Sequence, residues 1–354
     1  MMNFTDILSS LGVLFDSLPQ GLLALFYGFE AIPTAIGFGI AAIGAAIFQI
    51  PTPVSFQAET TVLAGGLGKN VRERVSMILF SGIIMIVFGL TGTLGTIVDF
   101  IGPDVLYGML AGVGVILVKT ALEIFRKEIY SGVVSLAVAL IVWLTTNNLI
   151  YTCVISVIVA SIAYKIANTY IVKDKPVEEE HEYKGFKSLK LMKPTFNKNV
   201  LRGTLAVVML QIGGNISYGT ITSGMANVTP NIDKLSILGG VSTAVSGVFG
   251  GAPLSAIISA TATAPHPISA GILLMALAAI IIASKLFMKF GKLVPISAVA
   301  GFLFVLGTFV VFPGNAQVAL SGNSMIGGVT AVITATVDPF VGMLAGIVLR
   351  LLGV

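Results

Sequence analysis

Glu59 sits one turn into a short apolar segment, directly after PTPVSFQA, with Gln57 beside it. A carboxylate inside hydrocarbon has to be paired, protonated or turned towards water. If its protonation follows its access to either side, it can couple the movement of a solute to a proton. Glu59 is therefore the expected coupling residue, with H+ preferred over Na+ as the coupling ion; bracing of the chain break is its other use. In the second half, LQIGGNISYGTITSG (210–224) spaces Gln211, Asn215 and Tyr218 at i, i+4 and i+7, on one face of a helix. Amides and a hydroxyl on one face suit a neutral or anionic polar solute, and hydrogen bonding between helices is the competing use. Ser255 and Ser259 lie in FGGAPLSAIISATATAPHP (249–267), where their hydroxyls can meet a solute or satisfy their own backbone. These seven residues form the expected substrate-binding set.

Other chemistries find no residues to carry them. There is no HExxH, phosphate loop or dinucleotide fingerprint, and the two histidines are His181, in a polar stretch, and His266, in APHP. The single Cys153, inside an apolar run, excludes an intramolecular disulfide framework and a cysteine-cluster metal site. The expectation is a protein that is not an enzyme and holds no metal or organic cofactor.

The elements that position these side chains follow from hydropathy. Of the 354 residues, 56% are hydrophobic and 10% charged, with a mean hydropathy of +0.99. A soluble domain is roughly 25% charged. Apolar runs of spanning length recur throughout, and they are continuous rather than alternating, so helices and not β-barrel strands are expected. The reading is an all-α, multi-pass protein of the cell (plasma) membrane. The net charge of +4 comes from Lys and Arg in loops beside spans, which lipid explains better than nucleic acid. The expected partners are lipids, a small-molecule substrate and a second copy in a homodimer.

Spans are predicted near 8–28, 32–49, 55–67, 75–95, 102–122, 129–146 and 148–171, then near 201–224, 236–250, 254–264, 268–288, 293–312, 324–336 and 338–353. The polar stretch between them divides the chain into a first repeat (1–172), a linker (173–199) and a second repeat (200–354). The third segment of each half is too short to cross, at roughly 15–20 Å against a hydrocarbon core of about 30 Å. Each follows a small-residue helix and a proline-marked break, at Pro51 and Pro53 in one half and Pro253 in the other. An odd number of spans per half makes the halves inverted repeats, and paired breaks in such repeats predict a midplane binding site. Basic loops at Lys69–Arg74, Lys119–Lys127, Lys173–Arg202 and Lys285–Lys292 all follow odd-numbered spans and are expected in the cytoplasm. The N-terminal end then faces outward if all fourteen segments cross as drawn, and inward if residues 8–49 cross only once.

GLLALFYGFEAIPT (21–34), PTPVSFQAETTVLAGG (51–66), GNISYGTITSGM (214–225) and GGVSTAVSGVFGGAPLSAIISATA (239–262) resemble the nucleobase permeases of the xanthine/uracil type, the second nucleobase–cation symporter family. The resemblance covers nearly the whole chain in outline. It implies a 7+7 inverted-repeat fold with core and gate domains, and alternating-access transport of a purine, a pyrimidine or a similar small polar solute with H+. Sulfate- and bicarbonate-type anion transporters share that fold and supply the alternative. The resemblance is to a divergent member: Ser259 falls in the place of the family's tenth-segment glutamate, and the eighth segment presents Gln211, Asn215 and Tyr218 instead of an acid.

Overall fold

The structure, a computed structural model, describes residues 2–170 and 189–353. The VEEEHEYKG stretch with His181, and most of the predicted linker, lie outside the described residues. Before that stretch the chain forms α1 (Phe4–Phe26), α2 (Ala31–Phe48), β1 (Val54–Ser55), α3 (Ala58–Leu67), α4 (Val71–Thr91), α5 (Leu94–Ile101), α6 (Pro103–Phe125), α7 (Ile129–Thr146) and α8 (Leu149–Tyr170). After it come α9 (Lys198–Met225), α10 (Ile232–Val248), β2 (Ser255–Ala256), a 3-10 turn (Ala260–Thr263), α11 (Pro267–Ala283) and α12 (Lys285–Leu293). The chain closes with α13 (Ala300–Val305), a π-helical stretch (Leu306–Val311), α14 (Phe312–Ser321), α15 (Ser324–Thr336) and α16 (Pro339–Leu351).

This is an all-α, multi-pass membrane fold of seven plus seven segments, the third and tenth of them broken. Among the described residues, eight helical runs are long and apolar enough to cross a bilayer. The closely spaced pair at the start divides where Gly28 takes φ 85°, a backbone conformation that needs no Cβ. The pair at the end divides at Asp338, whose carboxylate caps α16 by accepting from the Val341 N–H at 2.9 Å. Two elements fall between spans: the short amphipathic helices α5 and α12, which follow the fourth and eleventh segments. The twelfth span runs longer than predicted, over Ile296–Ser321, because the π-helical stretch carries it past Pro313.

Two bundles pack side by side. The first joins α1–α4 to α9–α11, and the second joins α6–α8 to α13–α16. Within the first, α4 and α10 approach backbone to backbone where Gly82 and Gly89 face Gly240, Ala244 and Asp233. A further tie, within the second repeat, links the two bundles, where Asp338 at the start of α16 pairs with Arg202 at the start of α9. Asp338 is 1% exposed. Its replacement by Ala removes a cap and a charge-assisted bond together. Asp338→Ala is expected to cost about 2 kcal/mol, read as a lower Tm in detergent.

Candidate functional site

The two breaks meet. After α2 ends in the left-handed conformation at Gln49 (φ 54°) and the chain bends at Pro51–Thr52, residues 53–57 run outside any helix, as do those from Ala252 to Ser259. β1 and β2 then pair antiparallel, Val54 opposite Ala256 and Ser55 opposite Ser255, with all four residues buried. Extended backbone at membrane depth strands N–H and C=O groups, and hydrocarbon offers them nothing. Hydroxyls from surrounding helices supply what the two-residue ladder does not. Thr243 donates to the Leu254 carbonyl (2.7 Å) and accepts from its N–H (3.1 Å). Ser246 donates to Ala252 O at 2.7 Å, Thr34 accepts from Ala252 N at 2.8 Å, and Thr222 donates to Ile257 O at 3.1 Å.

Around this ladder the expected residues separate into connected and spent groups. The Tyr218 hydroxyl, from α9, donates to the Glu59 carboxylate at 3.5 Å, and Glu59 is 5% exposed. The Gln57 side-chain oxygen Oε1 accepts from the Thr60 hydroxyl at 2.5 Å, and that hydroxyl lies 3.2 Å from Ser255 Oγ across the two breaks. Thr60 has one proton and gives it to Gln57, so Ser255 is the donor in that second contact. The Gln57 amide nitrogen faces Tyr218 but makes no hydrogen bond of good geometry. Four of the seven, Glu59, Gln57, Tyr218 and Ser255, thus share one polar cluster built from β1–α3, β2 and α9.

The other three lie differently. Asn215 donates to Ser236 on α10 at 2.8 Å, which is the interhelical use weighed for it. Ser259 caps the 3-10 turn, with its hydroxyl 2.7 Å from Thr261 Oγ1 and accepting from Thr261 N at 3.2 Å. Gln211 is buried on α9 with its side-chain oxygen unpartnered, as are the hydroxyls of Ser55 and Thr61. Unpaired polar groups at such depth are rare unless water or a ligand meets them.

Three contributors escaped the sequence reading. Thr60 links the two broken segments, and Gln20 accepts the first N–H of α3, from Ala58, at 3.0 Å. Asp16, one turn before Gln20 on α1, places a second, half-buried carboxylate in electrostatic reach of Glu59. The signal available was Pro19 beside Gln20 inside an apolar run, since a proline within a helix frees a carbonyl that needs a partner.

No family model and no curated protein sequence matches the chain. Solved structures do. The chain is similar to the transmembrane domain of a cyanobacterium bicarbonate transporter, BicA, with TM-score 0.67 and 14% identity over 97% of each chain. It is also similar to the murine anion transporter Slc26a9 in its inward-facing state, with TM-score 0.70 and 15% identity over 99% of this chain and 68% of that one. A second SLC26A9 structure gives TM-score 0.70 and 12% identity over 98% of this chain and 64% of that one. At these identities the likeness establishes the fold. It also corrects the sequence reading. The nucleobase, purine and xanthine/uracil permease description gives way, because the matching folds are those of proteins described as bicarbonate and anion transporters. The glycine–proline patterns behind the resemblance mark where helices break and approach, which this wider group of folds has in common.

Proposed function

We propose that this protein is a secondary active transporter that moves a small inorganic anion across the membrane by alternating access, with H+ as the coupling ion. The observation that carries the reading is the polar cluster at the paired breaks, to which the β2 segment brings hydroxyls and no carboxylate. Hydroxyl and amide donors beside freed backbone suit an oxyanion of bicarbonate or sulfate type. Glu59 gives the coupling its sign: ionised it repels the anion, and protonated it becomes a further donor. Proton and anion therefore load together. In this reading Gln57, Tyr218, Ser255 and the unpartnered Gln211 contribute to binding, while Asn215 and Ser259 hold the helices and the turn that shape the site. The first bundle carries the site, and it moves against the second as core against gate. The halves 1–172 and 200–354 act as the two repeats.

The test is uptake into proteoliposomes of labelled sulfate and labelled bicarbonate, with acid outside or with no gradient, and with uracil and xanthine as competitors. Anion uptake that rises with external acidity and ignores both bases is expected. Absence of anion uptake under every gradient would overturn the proposal. Tyr218→Phe removes the hydroxyl that meets Glu59 and is expected to weaken apparent anion affinity about 5- to 10-fold, measured as a raised half-saturating concentration in the same assay.

A further inference from the structure

The fourteen crossings determine which turns share a face, and contacts between distant turns agree with that assignment. On one face, Asp6 at the start of α1 accepts from His266 N at 2.9 Å, Asp104 accepts from Asn323 N at 3.1 Å, and Arg350 donates to the carbonyls of Asp99 (3.2 Å) and Phe100 (2.9 Å). On the other, Arg74 donates to Tyr27 O at 2.7 Å, Arg72 to Lys193 O at 2.8 Å, and Asn197 to Glu73 at 2.9 Å. Lys119 with Ala335, and Arg202 with Asp338, join that second face.

Charge is divided unequally between these faces. Among the described residues, Lys234 and Arg350 are the only Lys or Arg on the first face, which also holds Asp6, Asp99, Asp104 and Asp233. All other described Lys and Arg lie on the second face, including those of the amphipathic helix α12. Steering of an anionic cargo does not account for this. A cavity of about 200 Å³ opens on the first, sparsely basic face, with exposed Gln49, Thr229, Asn231 and Lys234 at its rim and buried Thr52 and Ser223 at its floor. The basic residues are gathered at the end of the molecule opposite this mouth. Short basic loops are retained in the cytoplasm, and an amphipathic helix carrying lysines sits on anionic headgroups.

We infer that the second face is a surface for anionic phospholipid on the cytoplasmic side, so that the start of α1, the end of α16 and the cavity mouth all face outward. The inference rests on fold and charge, not on the identity of the cargo. In this conformation the floor at Thr52 and Ser223, next to Tyr218 and the β1 strand, is reached from outside the cell.

The experiment is cysteine labelling in intact cells with a membrane-impermeant maleimide. Leu191→Cys reports the basic face and Thr229→Cys the opposite one; both positions are exposed, and the native Cys153 is buried, so the unsubstituted chain serves as the background control. Ser321→Cys, exposed on the same face as Thr229, guards against a local effect at the cavity rim. Labelling of Thr229→Cys and Ser321→Cys in intact cells, with Leu191→Cys modified only after permeabilisation, is expected. Labelling of Leu191→Cys alone would overturn the inference, as would equal labelling at both faces, which would mean insertion in two orientations. Protection of both Thr229→Cys and Ser321→Cys in intact cells would overturn it equally.

Discussion

If the protein is the proton-coupled anion carrier proposed above, Glu59→Gln is expected to exchange anion across the membrane at close to the normal rate but no longer to accumulate it against a gradient. The amide imitates the protonated acid, keeps a carbonyl oxygen to accept from Tyr218 and cannot release a proton. For a symport of one H+ per anion, each pH unit of gradient supports about tenfold accumulation, since one unit corresponds to about 1.4 kcal/mol. That factor disappears in the variant, while labelled anion still exchanges for unlabelled anion inside. Counterflow and acid-driven accumulation, measured on the same proteoliposomes, separate the two. Accumulation that still follows the pH gradient in Glu59→Gln would remove Glu59 from the coupling. Loss of both exchange and accumulation in protein that remains folded would make Glu59 a structural brace of the break.

The second large effect is on folding. A Cβ at Gly82 would lie 2.6 Å from the Ala244 nitrogen and 2.7 Å from the Gly240 carbonyl, both of them backbone atoms that cannot rotate away. Gly82→Val is expected to cost at least about 3 kcal/mol by forcing α4 and α10 apart, seen as loss of monodisperse protein after extraction or as a large fall in Tm. Gly39→Ala provides the contrast. A Cβ there meets nothing within 4 Å, and alanine favours the helix, so stability is expected to be unchanged or slightly higher.

These two glycines mark what the sequence can and cannot disclose. Gly37, Gly39 and Gly44 sit in one small-residue run, but Gly37 packs against Ser242 and Leu254, Gly44 meets Leu238, and Gly39 faces open space. Composition shows that helices come close; only the angle and register of crossing decide which glycine bears the contact. The breaks were legible for a firmer reason. Segments of ten or so apolar residues cannot span a bilayer, and Pro51, Pro53 and Pro253 cannot continue a helix.

The strand pairing inside the breaks was not legible, because two residues on each side carry no periodicity. Spacing put Gln211, Asn215 and Tyr218 on one face, yet a helix face more than one residue wide touches more than one neighbour. Asn215 turns to Ser236 while Tyr218 turns to Glu59. Asp16 and Gln20 passed unnoticed because the run holding them reads as an ordinary span. The nucleobase-permease description was overdrawn for a related reason: glycines and prolines specify main-chain geometry, and main-chain geometry is indifferent to what it carries.

The ladder between Val54–Ser55 and Ser255–Ala256 joins the two halves of the molecule through peptide groups, not through particular side chains. Substitutions at those four positions therefore leave the joint itself in place as long as the new residues fit and are not proline. On the transport reading proposed above, side chains around the joint would set cargo preference while peptide groups hold the joint, so one could change without the other.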